Sequence, residues 1–399
     1  MTVPFSPAQQ IVIDAVNHAL GREPFGASLA GDEPVDWDDV LAIALREGLA
    51  ALVHAGMASC CASVPEVSRT RLKVGYLGAV TWFDACLEPS LQTVLRTLHS
   101  LGIEPIVLKG AALAYTVYPR PYLRTMGDVD LLLSEEEAVR AAEGLKGAGF
   151  FSVDNEAGVG HHLPPRRAAR WRLRIELHHH LLPRRNPYAI DLHGFRRRSR
   201  ADSVAGVETQ VPAPVDALHL ACLHLSYSHR YRWFLLRGLT DIVAITTRWA
   251  SELDWDFFLA LTRASRTHGA AYWPLWLCRD WMGAKVPEQV LSRLAPMAPI
   301  RRLISAAASP QYILGSRQSP ETANDLVRDL LLDLSLHQGC SAIDQTKALV
   351  RGLFPPPEAL GHLPAELSRS RLRYSAYLIR PDRMIRGAIA LGRLLAKAA

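Results

Sequence analysis

Residues 127–133 read GDVDLLL, and the reading of this stretch decides the fold around it. A glycine followed by a short run of Val and Leu has the length and composition of a strand. On a strand, side chains two apart share a face and lie about 6.6 Å apart along its axis. Asp128 and Asp130 therefore point the same way, while Val129 and Leu131 turn toward a core. Two carboxylates at that spacing repel by about 2.5 kcal/mol at an effective dielectric near 20. Without a counter-charge one of them holds a proton. A divalent cation removes the conflict, and an oxygen donor set favours Mg²⁺. Two exposed aspartates at a strand end are the plainer alternative, because a DxD pattern is short.

The neighbouring segments sharpen the reading. Upstream, IEPIVL (103–108) has strand character and ends at Lys109-Gly110, after which residues 111–118 continue as a helix stopped by Pro119. A glycine there lets the backbone approach a ligand, and a new helix offers free N–H groups to an anion. Lys109 adds a mobile positive charge suited to a triphosphate. Downstream, WRLRIELHHH (171–180) alternates as a strand. Its period of two places Glu176 on one face with His178, Arg172 and Arg174, and turns His179 the other way. Three carboxylates beside a phosphate-binding turn meet the needs of two-metal phosphoryl transfer, in which ions about 3.5–4 Å apart clamp the attacking and leaving oxygens. One carboxylate can also take the proton of an attacking hydroxyl.

The ordered set VLKGAAL (107–113), YPRPYLRTMGDVDLLL (118–133), HHLPP (161–165) and IELHHHL (175–181) resembles the uncharacterised nucleotidyltransferase family of the polymerase-β-like superfamily. LRGLTDI (236–242) is similar to that family's Trp/Leu–Asp–Ile helix. The resemblance covers most of the chain. It implies that Asp128, Asp130 and Glu176 bind metal, a pair of Mg²⁺ ions, and that Lys109 and Gly110 form the nucleotide turn. It also implies that Arg124 contacts a phosphate. The wider superfamily carries Gly-Ser where this chain has Gly110-Ala111, so Lys109 takes over the grip that a hydroxyl would give. His178, alternating with Glu176, is expected beside the chemistry.

Working outward, the 399 residues divide into three stretches. Residues 1–98 show helical spacing at 8–20, 36–57 and 67–101. Residues 99–205 form a mixed α/β module with strands expected at 103–108, 128–133, 149–153 and 171–180, and a helix at 135–147 capped by Ser134. Residues 206–399 return to helical spacing at 215–229, 235–249, 255–267, 270–282 and 322–336, with Pro212 and Pro214 at the boundary and a break at 355–357. The expected class is α+β, a small mixed-sheet nucleotidyltransferase core flanked by helical regions.

Composition sets limits. Hydrophobic residues are 49% and charged residues 21%, the balance of a globular chain rather than a disordered one. No apolar run approaches the roughly 20 residues of a membrane helix, and no signal peptide is read at the N-terminus. The six cysteines (Cys60, Cys61, Cys86, Cys222, Cys278, Cys340) form no CxxC pair, which fits buried thiols in a reducing, cytoplasmic setting. The adjacent Cys60-Cys61 reads as a small apolar helix end, with redox activity as the alternative. Net charge is +6, and 39 of the 45 basic residues are arginine. Guanidinium suits phosphate, but this charge does not argue for nucleic acid, and no RNA-binding module is present. The arginines crowding 166–200 read mainly as a solvated surface, or as a positive rim around an anion. The histidines at 161, 162, 178, 179, 180 and 193 match neither HExxH nor a zinc finger, so a zinc hydrolase is the minor reading. His219, His224, Arg237 and Asp241 fall on helices, where Arg237 and Asp241 have the spacing of an intrahelical pair, with base or acceptor contact as the alternative. Tyr115, Tyr118 and Tyr122 suit either helix packing or stacking on a base.

The function expected is Mg²⁺-dependent transfer of a nucleoside monophosphate from an NTP to a hydroxyl or similar acceptor on a small molecule or protein, with pyrophosphate released. The competing function is a non-catalytic nucleotide- or peptide-binding protein on the same fold. No P-loop, Rossmann glycine fingerprint or GxSxG elbow is present.

Overall fold

In the computed structural model the described residues are 5–22, 35–58, 64–152, 160–168, 173–183, 186–231 and 234–298, with 301, 336 and 343. The helix expected at 322–336 (apart from Leu336), the break at 355–357 and Cys60, Cys61 and Cys340 lie outside them.

The chain begins with helices α1 (Pro7–Ala19), α2 (Trp37–Arg46), α3 (Ala50–Gly56), α4 (Glu66–Trp82) and α5 (Glu88–Ser100). Ser6 starts α1 with a capping box: its hydroxyl accepts from the Gln9 N–H while Gln9 reaches back to the Ser6 N–H, and Pro7 fits the first turn. The helical run read at 36–57 breaks at Gly48, whose φ of +67° ends α2 as an L side chain would resist doing. The run at 67–101 is interrupted by a π-helical turn, Phe83–Leu87, before α5 restarts with Pro89 in its first turn.

The α/β module follows as β1 (Ile106–Val107), α6 (Lys109–Thr116), a 3₁₀ turn (Pro121–Leu123), β2 (Asp128–Leu132), α7 (Glu135–Gly147), β3 (Phe150–Ser152), β4 (Arg166–Ala168), β5 (Arg174–His178), α8 (Leu192–Arg198), β6 (Arg200–Val204) and β7 (Val207–Val211). Helix α7 has the expected Ser134 cap, closed by Glu137 into a capping box. The seven strands form one mixed sheet in the order β3-β4-β5-β2-β1-β7-β6. Its centre is the parallel pair β2/β5, with β1 antiparallel to β2 and parallel to β7. The sheet continues past residue 205, where helical spacing was expected from 206. The β6–β7 hairpin turns on Ala205 and Gly206, both at positive φ, as a two-residue hairpin turn of the right twist requires.

The last described helices are α9 (Pro214–Leu223), α10 (Leu235–Arg248), α11 (Trp255–Ala264), α12 (His268–Met282) and α13 (Glu288–Leu294), with a π-helical turn (His224–Ser228) after α9. Two large cores result. One lies between a sheet face and helices α5 and α7, built from Leu91, Leu95, Val129, Leu131, Ile175 and Leu177. The other is helical and continuous from the first stretch of the chain to the third: Ile11, Val12, Ile43 and Leu52 share it with Leu239, Ile242, Trp273 and Cys278. The alternation of β2 follows from this packing. Val129 and Leu131 face α5 and α7, which leaves Asp128, Asp130 and Leu132 on the opposite face, where Leu132 packs with Ile106, Leu108 and Leu220.

Candidate active site

The pairing of β2 with β5 sets the site. Their parallel register places Asp128 beside Arg174, Asp130 beside Glu176 and Leu132 beside His178. Directly paired residues share a face of the sheet, so Glu176 stands next to Asp130, as the alternation of WRLRIELHHH predicts. The Asp130 side chain is 7% exposed and Glu176 13%.

Each buried acid has a protein counter-charge. Lys109 Nζ donates to Asp130 Oδ1 at 3.0 Å, and His178 Nε2 lies 2.7 Å from the same oxygen. Glu176 meets Arg174 Nη2 at 3.0 Å and His178 Nε2 at 3.5 Å. Burial alone would raise the Asp130 pKa, but Lys109 and His178 outweigh it and hold the carboxyl well below its usual range. Burial also opposes the Lys109 charge, and Asp130 more than restores it. Asp128, at the open end of the strand, moves the other way: lost hydration and the charges of Asp130 and Glu176 raise its pKa. From the sequence, a divalent cation is what relieves these acids; in the structure Lys109, His178 and Arg174 already supply counter-charge to Asp130 and Glu176.

Among the described residues, the one group of three or more metal-ligand side chains that converges is Asp130, Glu176 and His178, whose donor atoms all lie within 4.8 Å of one another. Two carboxylates with Asp128 nearby on the same face suit a hard divalent cation, and an imidazole nitrogen also admits Mn²⁺ or Zn²⁺. His178 Nδ1 is buried with no hydrogen-bond partner among the described residues. The rings of His161 and His162 lie 5.2 and 5.0 Å from the His178 ring. The histidine-rich segment thus backs the acid pair rather than building a separate centre there.

Above the acids opens a cleft lined by Lys109, Gly110, Asp128, Asp130, His224 and Arg237. Lys109 begins α6 with a left-handed backbone (φ 49°), and the Leu108 N–H donates to the Asp130 carbonyl at 2.9 Å, which ties the helix start to β2. At Gly110 the chain runs close to Arg124: a Cβ there would meet Arg124 Nη2 at 3.3 Å, tighter than most such contacts.

Arg124 itself is committed. Its Nε and Nη2 donate to the two Asp241 oxygens at 2.6 and 2.7 Å, Nη1 donates to the Thr125 carbonyl, and the Tyr118 hydroxyl also donates to Asp241 Oδ1 at 2.7 Å. Asp241 thus pairs across 117 residues with Arg124, rather than with Arg237 one turn away on its own helix. The two motifs YPRPYLRT and LRGLTDI meet here. Of the other tyrosines, Tyr122 packs edge-on to Tyr76 and Phe83, and Tyr115 packs against Phe83. His219 is buried against Thr267, away from the cleft acids. His224, named from the sequence with its core or surface role as the default, lines the cleft.

A buried acid cluster on parallel strands, beside a helix start with a lysine over a cleft, defines an α+β protein of the nucleotidyl-transferring class. The family described as uncharacterised nucleotidyltransferase matches residues 33–283, more than half of the chain, and the chain belongs to that family. No curated protein and no solved structure matches it.

Proposed function

We propose that this chain is a divalent-cation-dependent nucleotidyltransferase. It transfers a nucleoside monophosphate from an NTP to a hydroxyl or similar group on a small molecule or protein and releases pyrophosphate. The observation that carries this reading is the register of Asp130 with Glu176, beneath the Lys109–Gly110 helix start.

Asp128, Asp130 and Glu176 would hold the cation, with His178 alongside, and Mg²⁺ is the ion that the oxygen-rich set favours. Bound there, the cation, or a pair of them, supplies charge neutralisation on the phosphates. The chain's own residues do the rest. Lys109 leaves Asp130 for the triphosphate, an exchange of one anionic partner for another of higher charge. Gly110 lets the phosphates approach the free N–H groups of α6. Arg124 holds Asp241 and so fixes the wall of the cleft behind them. His178 positions Asp130 and Glu176 through Nε2. A carboxylate takes the proton of the acceptor hydroxyl, whose oxygen forms a bond to the α-phosphorus as the bond to the bridging oxygen breaks. Because the reaction asks for positioning and charge more than covalent help, these groups suffice.

A second reading, a nucleotide-binding protein without catalysis, is favoured by the protein counter-charges on Asp130 and Glu176, which let the cluster stand without a cation. The test is incubation with α-labelled NTPs, Mg²⁺ and a cell extract. Transferred label with pyrophosphate release is expected, and Asp128→Asn lowers the rate by about a thousandfold or more. Undiminished transfer in that variant removes the assigned role. Nucleotide binding without any transfer supports the second reading.

A further inference from the structure

Arg237 is a cleft cation with no carboxylate at ion-pair distance among the described residues. It lies in the first turn of α10, and its guanidinium carbon sits 3.7 Å from the centre of the Phe234 ring. Its one hydrogen bond among the described residues is a long one, Nη1 to the Thr125 carbonyl at 3.5 Å. No carboxylate there lies at ion-pair distance from it, because Asp241 is taken by Arg124 and Tyr118. Burial and the nearby Arg124 charge lower its pKa to about 10, which still leaves it cationic at neutral pH.

The surroundings hold this group in place. Phe234 has a left-handed backbone (φ 50°, ψ 47°) rarely adopted by a side chain of its size, and that conformation sets the ring beneath the guanidinium. On the other side, a Cβ at Gly48 would come within 3.1 Å of Arg237 Nη1. A half-buried guanidinium, stacked on a ring and lining a cleft with one long hydrogen bond among the described residues, keeps donors available to an anion. Lys109, Asp128 and Asp130 line the same cleft.

We propose that Arg237, which lines the same cleft as Lys109, receives the distal phosphates of the bound triphosphate. This rests on the nucleotidyltransferase reading and adds to it: the helical region supplies half of the phosphate grip. With Arg124 locked to Asp241, Arg237 performs the contact that the resemblance gave to Arg124.

The test is calorimetric binding of inorganic tripolyphosphate, and of each NTP, to the full chain in Mg²⁺, for wild type, Arg237→Gln and Arg237→Lys. Tripolyphosphate is expected to bind wild type and to be displaced by the preferred NTP. Arg237→Gln should weaken both ligands by roughly 10- to 100-fold, with Arg237→Lys between, as loss of a charge-assisted fork implies. Thermal melts establish that each variant is folded; where Arg237→Gln does not fold, a several-fold weakening in folded Arg237→Lys decides. Wild-type affinity for tripolyphosphate in the folded variants overturns the proposal while leaving the nucleotidyltransferase reading intact. A wild-type protein that binds neither tripolyphosphate nor any NTP overturns both.

Discussion

The tie between Arg124 and Asp241 joins the sheet module to the helices, and Asp241→Asn tests it. The carboxylate accepts three short hydrogen bonds, two from one guanidinium and one from Tyr118, with the Arg124 and Asp241 side chains only 10% and 9% exposed. Removing the charge leaves Arg124 buried, unpaired and near Arg237, and losses of about 3–5 kcal/mol are typical when one partner of such a pair is taken away. With a urea slope of about 3 kcal/mol/M, the unfolding midpoint should fall by about 1–1.7 M. The assay is equilibrium urea unfolding followed by circular dichroism, on wild type, Asp241→Asn, Arg124→Gln and the double variant. The double variant should be less destabilised than the two single losses added together, by about 2 kcal/mol, because the second change removes a charge already stranded by the first. Strict additivity, or a midpoint drop under about 0.3 M, would refute the reasoning.

Other outcomes follow from the same coordinates. A Cβ at Gly56 would overlap the Ala15 carbonyl where α3 crosses α1, so Gly56→Ala should cost at least about 3 kcal/mol by the same unfolding assay; a loss below about 1 kcal/mol would mean the helices can part freely. Burial, with the Arg198 charge nearby, lowers His219 to about 4 from an ordinary 6.5. Between those values the unfolded chain binds a proton that the folded chain refuses. The His219 contribution is therefore complete above about pH 6.5 and is lost as pH falls toward 4, by about 3 kcal/mol in all. His219→Gln should flatten stability against pH across that window, and an unaltered slope would contradict the assignment.

Much of the site was legible because it depends on local periodicity. Alternation alone set Asp128 with Asp130 and Glu176 with His178, and Ser134 with Glu137 marked the start of α7. What escaped was of two kinds. Strands β6 and β7 lie in RADSVAGVETQV (200–211), whose Ala-Gly turn and flanking valines carried a hairpin signal that the approach of Pro212 and Pro214 obscured. The other kind was long-range. Arg237 and Asp241 have ideal helical spacing, yet Asp241 turns to Arg124, whose Nε and Nη2 reach both of its oxygens with the Tyr118 hydroxyl beside them. No local pattern reports a partner 117 residues away. The balance of charge at Asp130 was also hidden, since Lys109 was read as a phosphate ligand and not as the counter-ion that it is in this structure.

The helical core shared by the two ends of the sequence has a consequence for biosynthesis. Helices α1–α3 bury their apolar faces against α10 and α12, which leave the ribosome after more than 150 further residues. At about 5–20 residues per second, that leaves the first helices waiting roughly 10–45 s for α12. During that interval the sheet module can close around its own core, while Ile11, Val12 and Leu52 stay uncovered. The nascent amino-terminal segment is then the natural client for a chaperone, and truncation before α12 should yield aggregating chains rather than a smaller folded protein.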